Sequence, residues 1–216
     1  MKNYLEEGVP TIEEARSLLE DGKRLFPGPW IEHSINAGKA AELIAKNCKD
    51  LNSDVALVLG MLHDIGDRYG NTHMKHTLLG YNFAMEKGYH KVARICLTHS
   101  FNCNDIRSSF GKWDYCSDEE YNFVKDYIET IEYDDYDKLI QLCDALALPS
   151  GYCLMEKRMV DVALRHGMHE YIIDKWKATF ETKLYFEEKM GKSLYSVLPG
   201  VVENTFESNV YQQCNC

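Results

Sequence analysis

The chain has 216 residues, of which 45% are hydrophobic and 27% are charged, a composition typical of a folded globular protein that excludes a disordered chain. The formal net charge of −10 argues against a nucleic-acid surface, because proteins bind phosphate backbones through clustered Lys and Arg. The sequence shows neither a signal-peptide pattern nor an apolar stretch long enough for a bilayer, which predicts a cytoplasmic protein without membrane contact.

Helical patterns follow one another along the chain, and strand patterns are nearly absent. Thr11 lies three residues before Glu14, the spacing of a capping box, and predicts a first helix that ends at the Pro-Gly-Pro run of residues 27–29. The next segment, WIEHSINAGKAAELIAKN, places His33 on one helix face. The rest of that face is small or apolar, consisting of Ala37, Ala40, Ala41 and Ile44. We therefore expect another helix to pack closely beside His33.

The segment SDVALVLGMLHD is apolar on nearly all sides, which predicts a central helix with neighbours all round. A helical hairpin broken at Gly88 follows, then an amphipathic helix in SDEEYNFVKDYIETIEY and another in DYDKLIQLCDAL that stops at Pro149 and Gly151. Two further helices are predicted from residues 153–167 and 169–191. The fold predicted is all-α, a compact helical bundle, and the absence of a linker or repeat predicts a single domain over residues 1–216.

Eight cysteines are scattered through the chain, and several lie inside apolar helical patterns. We interpret six of them as buried free thiols rather than disulfides. These are Cys48, Cys96, Cys103, Cys116, Cys143 and Cys153. No CxxC pair is present that would build a structural zinc site. Cys214 and Cys216 lie close together in a terminal QCNC segment, which we expect to be frayed.

Residues of the metal-ligand type occupy positions that ought to be apolar. Asp144 falls on the apolar stripe of its helix, His63 and Asp64 end the most apolar helix, and His33 lies on the small-residue face. A buried carboxylate is costly unless it is paired, and imidazole with carboxylate is a ligand set that divalent transition metals prefer. Each residue taken alone also fits a structural role, as a hydrogen-bonded core histidine, a helix cap or an ion-pair partner.

The His63-Asp64 pair is followed by Ile65 and Gly66, and a histidine precedes it while a distant aspartate follows it. In this motif and in this order of residues, the chain resembles the HD-domain metal-dependent phosphohydrolases, in which HDIG is the form found in a large subgroup. The resemblance covers residues 30–150, the predicted helical core. An N-terminal helix and a C-terminal helical extension lie outside it.

The resemblance implies a ligand set for one or two divalent metal ions. The first ion would be held by His33, His63, Asp64 and Asp144. Family members with two metals add two histidines, which correspond here to His76 in HTLLG and His99 in CLTHS, and the aspartate of the pair then bridges the ions. His73 competes with His76 but lacks the glycine at the expected offset. Mn, Fe, Ni, Co, Zn and Mg are equally compatible with this pattern.

Three residues near the motif are candidates for substrate chemistry. Asp67 follows the motif aspartate by three positions, where another branch of the superfamily carries an acidic residue that orients or deprotonates water. The alternative is a structural pair with Arg68. Arg68 and Lys75 are the nearest cations for binding substrate phosphate. The remaining histidines, His90, His166 and His169, have polar surroundings and are expected at the surface.

The leading hypothesis is a metal-dependent phosphohydrolase that acts on a phosphomonoester or phosphoanhydride of a nucleotide or another small molecule. A phosphodiesterase for a cyclic or dinucleotide substrate is the second hypothesis, although the GYP element of the cyclic-di-GMP branch is absent. A non-catalytic sensor of metal or nucleotide is the third, and the complete ligand set argues against it. The di-iron oxygenase relatives of the superfamily share the same ligand order.

Overall fold

The computed structural model describes residues 4–206 and confirms the all-α fold. Its α-helices are α1 Ile12–Leu25, α2 Trp30–Ala45, α3 Ser53–Leu62, α4 Lys75–Glu86, α5 His90–Thr98, α6 Asp118–Thr130, α7 Asp135–Asp144, α8 Met155–His166, α9 Ile172–Met190 and α10 Val201–Phe206. Short 3-10 helices span Ile65–Tyr69, Ile106–Ser108 and Leu194–Ser196. The strands are β1 Tyr4–Glu6, β2 Val9–Pro10, β3 Ala147–Leu148 and β4 Gly151–Tyr152.

Helix α3 is the centre of the bundle, and every residue from 55 to 62 is buried. Helix α2 packs along it so closely that their backbones touch at two glycines. A Cβ on Gly60 would lie 2.7 Å from the Cα of Gly38, and a Cβ on Gly38 would lie 2.7 Å from the carbonyl oxygen of Leu57. The predicted close approach of a helix to the small-residue face is confirmed, and it brings His33 beside the end of α3.

A second backbone contact joins the 3-10 helix Ile65–Tyr69 to α4. A Cβ on Gly66 would overlap the carbonyl oxygen of His76 and would lie 2.7 Å from the amide nitrogen of Gly80. The glycine of the HDIG motif therefore faces the glycine that follows His76 by four positions. Because Gly66 and Gly80 have no side chains, the two backbone segments that carry Asp64 and His76 lie in direct contact.

We expect Gly66→Ala to lower the free energy of unfolding by roughly 3 kcal/mol, because the added methyl group overlaps backbone atoms that cannot rotate away. Chemical denaturation measures this loss. The matched control is Gly28→Ala, whose added methyl group meets the ring edge of Trp30 at 3.1 Å and should cost much less. Equal stabilities of the two variants would contradict the close packing of these backbones.

Among the described residues, the sequence did not predict α10, the three 3-10 helices or the two short β-hairpins, β1–β2 and β3–β4. In the second, Ala147 pairs with Tyr152 and Leu148 with Gly151, whose φ of +134° favours glycine. The helix predicted to stop at Pro149 and Gly151 already ends at Asp144, because residues 147–152 pair as a hairpin instead of continuing the helix. This hairpin fixes the end of α7, and thereby the position of Asp144.

The apolar core forms two clusters. The larger one surrounds α3, and the smaller one lies between α4, α5 and α6 and consists of Met74, Leu78, Leu97, Phe101, Ile106, Val124 and Ile128. The six cysteines within residues 4–206 are free thiols, as predicted, but Cys103 and Cys116 are half-buried and not buried. Cys214 and Cys216 lie outside the described residues. Within the described range, no helix has the length and apolarity to cross a membrane. The single domain over residues 1–216 stays a prediction.

A buried ion pair joins α5 to α7 behind the histidines. Asp137 is fully buried, receives a hydrogen bond of 2.9 Å from the Arg94 guanidinium and another of 2.7 Å from the hydroxyl of Thr98. Thr98 directly precedes His99 in the chain. This ion pair therefore fixes the C-terminal end of α5 against α7.

Arg94→Met should lower the free energy of unfolding by about 3–5 kcal/mol, because it leaves the Asp137 carboxylate buried without its cation. The control is Lys46→Met, which breaks the ion pair of Lys46 with Glu42 on the surface of α2 and should cost about 0.5 kcal/mol or less. Thermal or urea unfolding of both variants measures the difference. Similar losses would show that Asp137 does not depend on Arg94.

Candidate metal centre

The structure brings together the six side chains that the family resemblance assigned as ligands, and we call them the His/Asp cluster. They are His33 on α2, His63 and Asp64 after the end of α3, His76 on α4, His99 after the end of α5, and Asp144 at the end of α7. Five parts of the chain thus contribute to one site. Helices α3 and α5 both end at the cluster, because His63 and His99 are their C-terminal caps.

Asp64 lies at the middle of the cluster, and its two carboxylate oxygens face different histidines. Oδ2 is 3.2 Å from Nε2 of His63 and 3.6 Å from Nε2 of His33. Oδ1 is 3.2 Å from Nε2 of His99 and 3.4 Å from Nε2 of His76. The ligand atoms therefore form two groups of three that share Asp64, and within each group all of them lie within 4.8 Å of one another.

A backbone carbonyl fixes each imidazole through its Nδ1 atom. His33 donates to Ala147 at 3.1 Å and His63 to Gly60 at 2.7 Å. In the second group, His76 donates to the carbonyl of His73 at 2.7 Å, and His99 donates to that of Cys96 at 3.0 Å. A neutral imidazole that donates from Nδ1 has a lone pair on Nε2. All four lone pairs therefore point into the cluster, and such outer hydrogen bonds are typical of histidines that bind metals.

The Nε2 atoms inside the cluster lack good hydrogen-bond partners among the other atoms of the cluster. Nε2 of His76 and Nε2 of His99 are 3.3 Å apart, although Nδ1 already carries the proton in both rings. In the neutral ring, Nε2 of His63 is a buried acceptor that faces another acceptor, the Asp64 carboxylate at 3.2 Å, and it has no donor partner among residues 4–206. Lone pairs that face each other repel, and a buried unpaired acceptor is costly. A cation between these atoms would remove both penalties, so the residues present fit a divalent metal.

The pKa values show how strongly the cluster attracts positive charge. Burial lowers the pKa of His63, but the Asp64 carboxylate outweighs burial and raises it to about 9. The pKa of His76 also rises to about 9, because Asp64 and Asp67 outweigh the effect of burial. Burial opposes ionisation of Asp64, yet His63, His76 and His99 hold the pKa of that carboxyl well below its usual range. Asp64 is therefore an anion beside two imidazoles that take up protons readily, whereas burial lowers the pKa of His99.

Asp144 is the least enclosed member of the cluster. One carboxylate oxygen lies 3.1 Å from Nε2 of His33, and 31% of the side chain is exposed. The sequence places Asp144 on a buried stripe, and the other residues of that stripe, Ile140, Cys143, Leu146 and Ala147, are fully buried. Asp144 is the last residue of α7, so its side chain lies at the edge of the core and faces the cluster.

Asp67 lies close to the His/Asp cluster, because the charges of the cluster residues change its pKa. Burial raises that pKa to about 6, and the charges of His76 and Asp64 act on it in opposite directions. The alternative pairing with Arg68 is not what the structure shows. The Arg68 guanidinium instead lies 4.2 Å from the ring centroid of Phe83, and its Nε and Nη1 atoms are buried without hydrogen-bond partners in the described chain.

Lys75 and the remaining histidines lie apart from the cluster contacts. Lys75 forms an ion pair of 2.8 Å with Glu120. His73 hydrogen-bonds through Nδ1 to Asp114 at 2.7 Å, so His76 and not His73 joins the cluster, as the glycine offset predicts. The surface position predicted for three further histidines is confirmed for His90 and His166, while His169 is half-buried.

The sequence reasoning missed one polar residue near the cluster. Lys175 on α9 donates a hydrogen bond of 2.8 Å to the carbonyl of Ser100, the residue that follows His99. Burial lowers the pKa of Lys175, and the charge of Asp144 opposes that effect. No local signal could have revealed this, because 75 residues separate Lys175 from Ser100 and its helix shows an ordinary amphipathic pattern.

Comparison with known proteins adds one finding. The family model of the HD domain matches residues 30–148, more than half of the chain. The chain belongs to the HD-domain family. HD domains form a superfamily of metal-dependent phosphohydrolases, and the matched range contains all six residues of the His/Asp cluster. Searches of curated proteins and of solved structures gave no match.

The HD-domain match begins at the first residue of α2 and ends within the β3–β4 hairpin. Helix α1 precedes it, and α8, α9 and α10 follow it. Lys175 and the half-buried His169 therefore lie in a part of the chain that the family model does not describe.

Proposed function

We propose that this HD-domain protein is a two-metal phosphohydrolase that cleaves a phosphomonoester or phosphoanhydride of a nucleotide or another small molecule. The observation that carries the proposal is the position of Asp64, whose two oxygens each face two imidazole Nε2 atoms. A carboxylate placed in this way can bridge two cations. The cytoplasmic location and the absence of a nucleic-acid partner, both predicted from the sequence, belong to the same proposal.

In this proposal, His33, His63, Asp64 and Asp144 hold one divalent ion, and Asp64, His76 and His99 hold the second. Divalent ions would lower the pKa of a water molecule and neutralise charge on the phosphoryl oxygens. The protein contributes the orientation of its ligands, because backbone carbonyls fix each ring before any ion arrives. The net charge of −10 disfavours a phosphate substrate without such ions.

We assign to Asp67 the task of orienting water or accepting its proton. The charges of His76 and Asp64 act on this carboxylate, so it lies close enough to the cluster to accept a proton from water held there. Arg68 and Lys75 stay candidates for binding substrate phosphate. To reach a substrate, Lys75 would have to break its ion pair with Glu120. Arg68 would have to leave its position over the ring of Phe83.

The proposed activity is tested by a hydrolysis screen over nucleotides, dinucleoside polyphosphates, cyclic nucleotides and simple phosphate esters, with several divalent metals in turn. The result expected is metal-dependent release of phosphate or nucleotide, lost on addition of a chelator. Release from monoesters or anhydrides supports the leading proposal, while release from cyclic nucleotides alone would favour a phosphodiesterase. Inactivity towards every substrate with every metal would favour a non-catalytic sensor.

We expect Asp67→Asn to retain full metal content and to lower the turnover number by roughly 100-fold, because general-base catalysis typically contributes a factor of 100 or more. The matched control is Asp114→Asn, an exposed carboxylate that contacts His73. Elemental analysis and the hydrolysis assay of both variants measure the two quantities. Unchanged turnover in Asp67→Asn would contradict the role assigned to this carboxylate.

A further inference from the structure

Lys175 on α9 is a half-buried ammonium group without a counter-ion. Its Nζ atom donates a hydrogen bond of 2.8 Å to the carbonyl of Ser100 and lies 5.4 Å from the ring centroid of Phe110. Within residues 4–206, it has no second hydrogen-bond acceptor and forms no ion pair with a carboxylate. An ammonium group has three N–H donors and a full charge, which is costly to bury without a partner charge. Lys175 therefore has donors and charge available for an anion.

Helix α9 packs antiparallel against α7, the helix that ends at the His/Asp cluster. The hydroxyl of Tyr185 donates to the carboxylate of Asp135, at the start of α7, at 2.7 Å. Further along α7, Gln141 lines a cavity together with Ala178, which precedes Tyr185 on α9. Residue numbers thus rise along α7 while they fall along α9, so the end of α7 lies beside the start of α9.

This arrangement brings Lys175 level with Asp144. From Asp135 to Asp144, α7 advances by about 13.5 Å, and from Tyr185 back to Lys175, α9 covers about 15 Å, at the usual rise of an α-helix. Because Asp135 and Tyr185 are in contact, the other two residues lie at nearly the same height along the two helices. The charge of Asp144 accordingly acts on the ammonium group of Lys175.

Lys175 lies beside the open side of the His/Asp cluster. Asp144 has the most exposed side chain of the six proposed ligands, so the cluster is open on the side of this carboxylate. The Ser100 carbonyl, which accepts the hydrogen bond from Lys175, belongs to the residue after the proposed ligand His99. The ammonium group is therefore placed between the ends of α5 and α7, where both helices contribute ligands.

The other basic side chains considered for binding phosphate are engaged elsewhere. Lys75 forms its ion pair with Glu120, and the Arg68 guanidinium lies over the ring of Phe83. In the described part of the chain, the carboxylates of the cluster form ion pairs with imidazoles and with no Lys or Arg. Lys175 can bind an anion at the opening without first breaking an ion pair.

We propose that Lys175 binds the phosphate group of the substrate at the opening of the His/Asp cluster, by donating to a phosphoryl oxygen. This inference rests on the proposed function and deepens it, because it names the side chain that recognises the charge of the substrate. That side chain comes from α9, which lies outside the range of the HD-domain match. One N–H of Lys175 keeps its bond to Ser100, and the other two are available to the phosphate.

Calorimetric titration of inorganic phosphate into the metal-loaded, full-length protein tests this contact without turnover. Lys175→Gln removes the charge but still offers an amide donor to the Ser100 carbonyl, whereas Lys175→Met removes both. We expect each variant to weaken phosphate binding by about tenfold or more, the loss typical of one charge-assisted hydrogen bond, and to keep the metal content of the wild type. Lys175→Arg keeps a cation that suits phosphate and should bind it within about threefold of the wild type.

Lys177→Met is the matched control, because Lys177 lies on the same helix, is exposed and pairs with Asp174. It should leave phosphate binding unchanged. Elemental analysis and circular dichroism melting curves verify that each variant holds metal and folds. If Lys175 served only to hold the backbone beside His99, Lys175→Met would lower the metal content and Lys175→Gln would bind phosphate normally. Should Lys175→Met fail to fold, Lys175→Gln alone decides between the two roles.

Three results would overturn the inference: the wild type binds no phosphate, the folded Lys175→Gln protein binds it as the wild type does, or affinity falls only where metal is also lost. These outcomes are separate from the fate of the proposed function. Hydrolysis of phosphate esters with unchanged phosphate affinity in Lys175→Gln would retain the phosphohydrolase and overturn the role of Lys175. Phosphate binding that depends on Lys175, in a protein that hydrolyses no ester, would retain the anion site and overturn the phosphohydrolase.

Discussion

Asp64→Asn is expected to abolish the binding of both metal ions and to lower hydrolysis by roughly 1,000-fold or more, the largest loss of any single substitution. The amide keeps the size of the side chain but removes the negative charge. Because an amide has a single oxygen, only one of the two histidine pairs around residue 64 would still face an oxygen atom. Elemental analysis after dialysis against a divalent metal measures the first loss, and the hydrolysis assay measures the second.

The control for this substitution is Asp114→Asn, because Asp114 also contacts a histidine but lies at the surface. We expect it to keep both ions and wild-type turnover. If Asp64→Asn retained two ions per chain, Asp64 would be only a hydrogen-bond acceptor for the imidazoles. The assignment of the bridging ligand would then be wrong.

His76→Ala and His99→Ala are expected to lose one ion, to keep the other, and to lose most turnover, roughly 100-fold or more. The ion held by the group of His33 and His63 survives, because none of its ligands is removed. The same two measurements, metal content and turnover, separate this result from that of Asp64→Asn.

His73→Ala is the matched control, because it removes a histidine only three positions from His76 that contacts Asp114 instead of the cluster. It should keep both ions and nearly full activity. Full metal content and turnover in His76→Ala and His99→Ala would show that these two histidines are ordinary packed residues. The protein would then be a single-metal member of the HD-domain family.

Much of the site could be predicted from the sequence because burial penalties are local. His63 and Asp64 follow a helix that is apolar on all sides, and His33 lies on a face of small residues, so their polarity required an explanation. The helix pattern also predicted the order of α1 to α9, but it missed α10 and placed the end of α7 too late. Gly66 and Gly80 belong to the motifs read from the sequence, but the sequence did not predict that their backbones touch.

The remaining features depend on contacts between distant parts of the chain. The β3–β4 hairpin has two-residue strands, too short to show periodicity, yet its Ala147 carbonyl orients His33. The partner of Lys75 is Glu120, which is 45 residues away, and no local pattern pairs residues at that separation. The half-buried position of His169 is likewise set by the packing of residues 106–121 against residues 166–171.

The central claim is that Asp64 bridges two cations, and electron paramagnetic resonance of the manganese-loaded protein tests it most directly. The protein is freed of metal, given two equivalents of Mn²⁺, and measured after unbound ion has been removed. Ions that share one carboxylate interact magnetically, so we expect the broadened spectrum of a coupled pair. The well-resolved six-line spectrum of isolated Mn²⁺, from a protein that holds one ion or two distant ions, would contradict the claim.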